Sequence, residues 1–364
     1  MRIAVLTTSY PRTADEPAGH FVRSAAMRLA AKGHEVHVIA PGGSVLDRPE
    51  ITDGIHLHHA GGGSLFAWPG AAARAKEAPW RLLATGTFGV GVLARLRQLG
   101  AVDQVVAHWI VPCAFPLAVL GSKAALEVVA HGADVRLLMS APRPAREAVL
   151  RALLDRGACF HFAAGSLLRA LEGAIDEGLA KRLAGVARIE HPAIDVPDVA
   201  EAGRVMRASL GLGENERLAV AVGRLIASKR VGLAIDAAAR VPGLRLVVVG
   251  DGPERAALER RAAGSGARVT FPGNLHRREA LAWVAAADVL VHASAVEAAP
   301  TVIREARELG VPVVACDAGD VRDWAHDDPG IVVAEATPED LASAVGRALT
   351  MPPPTATTWS ETPG

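Results

Sequence analysis

Cysteine is scarce in this sequence. The 364 residues include three cysteines, Cys113, Cys159 and Cys316, an odd and scattered set without CxxC or Cys/His ligand spacing, which excludes a disulfide framework. HxxxH and HExxH patterns are missing as well, so no metal site is expected. Cysteine usage of this kind fits a reducing compartment, and the expected location is cytoplasmic. Net charge is also absent: 39 Lys plus Arg balance 39 Asp plus Glu, which removes the electrostatic footprint of a nucleic-acid binder and points to a small ligand. No apolar run is long enough to span a bilayer, because residues 110–120 are interrupted by Pro112 and Pro116. The opening MRIAVLTTSYPR reads as a first strand rather than a signal peptide, so membrane contact is expected to be peripheral at most. Two nucleotide fingerprints are lacking. LTTSYP stands where GxGxxG would follow the first strand, and GDGPE at 250–254 lacks a third glycine, which disfavours a nicotinamide dehydrogenase. The absence of GxxxxGK[ST] disfavours a P-loop NTPase.

What is present is a regular alternation of short β-branched runs with longer helical patterns, the signature of βα units covered on both faces. Strands are expected at about 2–7, 35–40, 54–59, 103–107, 126–130 and 159–163, and again at 217–222, 244–249, 268–271, 288–292, 311–315 and 330–334. Two doubly wound α/β domains follow, 1–195 and 196–350, with EHPAIDVPDVAEAG at 190–203 as the linker and 351–364 as a flexible proline-rich tail. Ligands of open α/β sheets bind at the carboxyl ends of strands. Here those ends are polar.

In 294–310, SAVEAAPTVIREARELG, Glu297 follows a strand and Glu305 lies on the next helix. Glu305 falls along the apolar stripe Val302, Ala306, Leu309, where a carboxylate needs a partner. Either it pairs with Arg304 or Arg307, or it accepts hydrogen bonds from a ribose diol. The helix start at Pro300 and Thr301 offers backbone N–H groups to a diphosphate. Arg224 and Lys229, at the end of another strand, are either solvated loop cations or stabilisers of a leaving diphosphate. In the first half, His108 with Trp109, and His131 with Asp134, follow two strands and are candidates for holding sugar hydroxyls. Gly19 precedes a helix beginning near Phe21, so its backbone is a weak phosphate candidate. Phe66 and Trp68, in GGGSLFAWPG, either pack locally or meet a lipid surface.

Taken together, SYPR…G, AKGHEVHVIAP, HWIVP, HGAD, GRLIASK, VVVGDGPE, the Glu297/Glu305 pair and GVPVVACDAGD resemble the retaining family 4 glycosyltransferases of the GT-B type over residues 1–348. The resemblance implies two Rossmann-like domains facing a central cleft, the first binding an acceptor and the second a nucleotide sugar. It assigns Glu305 to the ribose, Glu297 to the donor sugar, Arg224 and Lys229 to the diphosphate, and His131 with Asp134 to the transferred sugar. His108 and Trp109 would stand on the acceptor side, with Gly19 and Asn274 at the donor. A retaining, metal-independent hexosyl transfer from a UDP or GDP sugar to a glycan, lipid-linked or small-molecule acceptor is implied, without a cofactor and in keeping with polysaccharide biosynthesis. Alternatives are a catalytically inactive GT-B protein that binds a nucleotide or glycan, and an epimerase or phosphorylase on a similar scaffold. Three positions depart from the family pattern: Ala298 and Asp320 replace glycines, and Gly19 is single where two are frequent.

Overall fold

The structure, a computed structural model, describes residues 1–11, 19–66, 71–191 and 194–351, without the side chains of residues 72, 73 and 76. The expected tail, Trp68 and part of the expected linker lie outside the described residues. The chain divides into two compact units, Met1–Ala193 and Ile194–Gly364.

The first unit holds eight strands: β1 (Arg2–Leu6), β2 (Glu35–Ala40), β3 (Glu50–Thr52), β4 (Ile55–His59), β5 (Gln104–His108), β6 (Ala125–Ala130), β7 (Cys159–Phe162) and β8 (Ala187–Ile189). Their order is β3-β4-β2-β1-β5-β6-β7-β8. The second unit holds β9 (Arg217–Val222), β10 (Leu244–Val249), β11 (Arg268–Gly273), β12 (Val289–His292), β13 (Val313–Cys316) and β14 (Ile331–Ala334), ordered β11-β10-β9-β12-β13-β14. Every recorded pairing of the second sheet is parallel. Helices cover both faces of such a sheet, so its strands carry consecutive apolar residues instead of alternating ones. Leu218, Ala219 and Val220 are accordingly all buried. Burying each Val, Leu or Ile side chain contributes about 1.5–3 kcal/mol, and separate apolar clusters form on the two faces of this sheet.

The first sheet is mixed rather than parallel throughout. β3 runs antiparallel to β4, with Thr52 opposite Ile55, and the two residues between them, Asp53 and Gly54, both have positive φ. Asp-Gly with both residues left-handed is the two-residue turn whose twist matches a hairpin. The expected linker is also partly structured. Helix Ala200–Ser209 begins inside it and buries Val199 against Leu281 and Ala282.

Each sheet reverses its winding direction once, between β1 and β5 and between β9 and β12. At such a point the two crossovers leave on opposite faces and open a crevice at the strands' carboxyl ends. Candidate residues gather at both points.

Candidate active site

In the second unit, β9 delivers the loop Gly223–Lys229 and β12 the loop Ala293–Ala299, side by side at the switch point. One side chain and one backbone hydrogen bond tie the loops together. The Arg230 guanidinium donates to the carbonyls of Ala293 (2.7 Å) and Ser294 (2.9 Å), and the Ser228 carbonyl accepts from the Ala295 N–H at 2.7 Å. Lys229 and Glu297 therefore meet. The Lys229 ammonium donates to Glu297 Oε1 in a short ion pair, and His292, at the end of β12, brings its Nε2 to 3.0 Å from the same oxygen. Burial on its own would raise the Glu297 carboxyl, but the His292 hydrogen bond and the Lys229 charge outweigh it and hold the group at about 2. A pocket beside this cluster is lined by Gly223, Leu225, Lys229, His292 and Ala293 among others. Arg224, two positions beyond β9, is exposed.

Glu305 is buried on the helix Thr301–Glu308, which Pro300 precedes with its φ of −65°. Its partner is neither Arg304 nor Arg307, as the sequence reading proposed for a paired carboxylate. Arg277, first residue of the helix Arg277–Ala286 after β11, donates to Glu305 Oε1 at 2.6 Å. A capping box between His276 and Glu279 fixes that helix start. Arg307 is engaged elsewhere, in a buried two-bond pair with Asp328 (2.9 and 3.1 Å). The expected stripe is present, with Ala306 buried and Val302 and Leu309 half-buried against the same core, and burial extends further round the helix to Ile303, Arg304 and Arg307. This helix is enclosed on most sides, and its Arg307 finds a carboxylate that sequence distance hides. Asn274, exposed just after β11, is three residues from Arg277. The Asp320 N–H donates to the Ala298 carbonyl at 3.1 Å, which couples two of the departures from the family pattern.

In the first unit, β5 and β6 bring His108 and His131 together. His108 Nδ1 lies 2.8 Å from His131 Nε2, and the rings stack at 5.1 Å with 9° between planes. Burial lowers His108 to about 4; burial and then the neighbouring His108 lower His131 well below its ordinary value. Both rings are neutral at pH 7, and one proton sits between them. His131 also contacts Phe21 and Trp109. The expected site role of Asp134 needs correction. It is 2% exposed, and its oxygens accept from the backbone N–H groups of Ile110 (2.8 Å), His131 (3.1 Å) and Gly132 (2.9 Å). A carboxylate so occupied holds the two strand-end loops in place and is not presented to a ligand. His108 is buried as well, behind His131. Gly19 precedes the helix His20–Ala31 with φ 78°, and a Cβ there would stand 2.6 Å from the Ser9 carbonyl oxygen, so the first strand's loop packs on it. Phe66, half-buried, packs against Phe88 at 4.9 Å.

Among the described residues, no group of three or more His, Cys, Asp or Glu side chains is arranged to hold a metal ion, and no helix is long and apolar enough to cross a membrane.

Two Rossmann-like sheets with polar switch points define a GT-B scaffold. Residues 204–362 match the family described as glycosyl transferases group 1. The chain is 29% identical over 380 aligned positions to D-inositol 3-phosphate glycosyltransferase of Mycobacteroides abscessus, covering 96% of this chain and 82% of that one. Among solved structures, sucrose-phosphate synthase from Thermosynechococcus elongatus superposes with TM-score 0.75 at 21% identity, over 96% of this chain and 89% of that one. Anabaena HepE in complex with UDP superposes with TM-score 0.68 at 18% identity, over 96% and 90%. Residues 204–362 thus carry a group 1 glycosyltransferase domain, and the chain is homologous to glycosyltransferases of the family 4 type.

Sequence reasoning missed His292 and Arg277. His292 was absorbed into a strand pattern, and Arg277 opens a half-buried helix 28 residues from its partner.

Proposed function

We propose that the protein transfers a hexosyl group, with retention, from a UDP or GDP sugar to an acceptor hydroxyl, without a metal. The observation that carries this reading is the cluster of Lys229, Glu297 and His292 at the β9/β12 switch point of a group 1 domain, with Glu305 on the next helix. Lys229 and exposed Arg224 supply positive charge for the diphosphate, together with backbone N–H groups near Pro300 and Thr301. Glu305 accepts from the ribose hydroxyls and Glu297 from the donor sugar. His131, neutral and partly exposed, hydrogen-bonds the transferred sugar, backed by His108. Asn274 borders the nucleotide, while Trp109 and the Gly19 turn shape the strand ends of the first unit.

In the step itself, the acceptor oxygen bonds to the anomeric carbon as the bond from that carbon to the diphosphate oxygen breaks. The electron pair stays on the leaving oxygen, which takes the acceptor's proton. Two cations spread the charge that develops there, so electrostatic stabilisation supplies most of the rate. The acceptor is a glycan or a lipid-linked sugar. A lipid-linked one is supported by the turn Pro79–Leu83, where Trp80, Leu82 and Leu83 are 69%, 53% and 80% exposed beside Arg81. The reading is tested by nucleoside diphosphate release from a panel of nucleotide sugars in chelator, with Glu305→Ala as control. Release from one donor, lost in the variant, is expected; no release and no nucleotide binding would overturn it.

A further inference from the structure

Nothing in the proposed step uses His292, yet it is the second donor to Glu297. Lys229 and His292 converge on a single oxygen, Oε1, and no described residue donates to Oε2. This arrangement fixes the plane of the carboxylate and leaves one oxygen to accept a hydroxyl. The two donors differ in freedom. Lys229 is a flexible ammonium that also lines the pocket beside Gly223, where an entering diphosphate competes with Glu297 for its charge. His292 is 5% exposed; it ends β12, whose residues pair with β13 on one side and β9 on the other. Its ring cannot follow a ligand.

From this asymmetry, and resting on the reading that Glu297 meets the donor sugar, we infer that His292 is a positioning residue. It holds the Glu297 carboxylate in place once Lys229 turns to the diphosphate, and so divides two tasks that one lysine cannot perform together. The Lys229–Glu297 pair keeps the ammonium oriented toward the pocket until the diphosphate arrives; the His292–Glu297 hydrogen bond then remains as the anchor for a sugar hydroxyl on Oε2. The inference predicts a split between nucleotide binding, which does not need His292, and sugar handling, which does.

The test uses the full-length protein and its His292→Phe, His292→Gln and His292→Asn variants, with wild-type melting curves required of any variant that is scored. Binding of UDP and GDP, without sugar, is measured by calorimetry, and nucleoside diphosphate release is followed at saturating nucleotide sugar. Loss of a hydrogen bond to a charged group costs about tenfold or more. His292→Phe is therefore expected to lower kcat by about tenfold with diphosphate affinity unchanged. The Gln side chain carries an N–H at nearly the reach of the ring Nε2, so His292→Gln is expected within about threefold of wild type, and the shorter Asn is expected to behave as Phe. If Phe does not fold, the Gln and Asn pair carries the same comparison. Equal kcat in all variants, or a parallel loss of diphosphate affinity and kcat, would overturn the assignment of His292 while wild-type release leaves the glycosyltransferase reading standing. Absence of binding and release in the wild type would overturn both.

Discussion

Acidification provides a direct probe of the Glu297 cluster. The Glu297 carboxyl is held at about 2 against an ordinary 4.5, and its side chain is 14% exposed. At about 1.4 kcal/mol for each pH unit, the ionised group contributes about 3 kcal/mol to folding. Because the folded value is the lower one, this contribution is complete above pH 4.5 and is lost as pH falls toward 2. Glu297→Gln removes the titrating group and leaves the Lys229 ammonium without its counter-charge. The variant is therefore less stable near neutrality, and the difference from wild type narrows by about 2.5 kcal/mol between pH 6 and pH 2.5. Hydrogen exchange at the amides of β9 and β12, measured in urea, reads the second unit separately from the first. A stability difference that does not change with pH would refute the argument, since it would mean that His292 and Lys229 do not hold the carboxylate ionised.

Other expectations follow from the same structure. Arg307→Ala removes both guanidinium hydrogen bonds to the buried Asp328 carboxylate and is expected to cost about 3–5 kcal/mol, read as a lowered melting temperature of the second unit. Arg224→Ala is expected to lower turnover by at least about tenfold with an unchanged melting curve, as for loss of a charged contact to the leaving group; wild-type turnover would remove Arg224 from the site. In the first unit, burial holds His108 at about 4 against 6.5. The unfolded chain then binds a proton that the folded chain does not, so stability falls as pH drops from 6.5 to 4, and His108→Phe flattens that slope in a urea series. Replacing Trp80 and Leu83 by serine is expected to reduce partition onto anionic vesicles several-fold, because each removes exposed apolar area from one turn; unchanged sedimentation would count against a membrane-bound acceptor.

The two doubly wound sheets were legible because buried parallel strands are uninterrupted apolar runs, and VVV or VLV between helical patterns has few other readings. β3 escaped for the opposite reason. Glu50, Ile51 and Thr52 are all exposed, so no burial pattern marks them, and only the Asp53-Gly54 turn signals the hairpin. The short edge strand β8 escaped likewise. At the site, strand-end position was the useful guide. It singled out Lys229 and Glu297, which the structure brings into contact, and His108 and His131, which stack on one another, all at strand ends where ligands of open sheets bind. What it could not give was pairing. Arg277 and Glu305 meet through helices on neighbouring crossovers, and Asp134 spends its oxygens on backbone amides that a sequence does not place. Of the two readings open for Phe66, the structure supports local packing, against Phe88.

The most direct test of the central claim is nucleoside diphosphate release from individual nucleotide sugars by the purified protein in chelator, compared with Glu305→Ala. Release from one donor, reduced at least about tenfold in a variant that still melts as wild type, is the predicted result. Equal release by both proteins would contradict the site, and no release or nucleotide binding by the wild type would contradict the assigned activity.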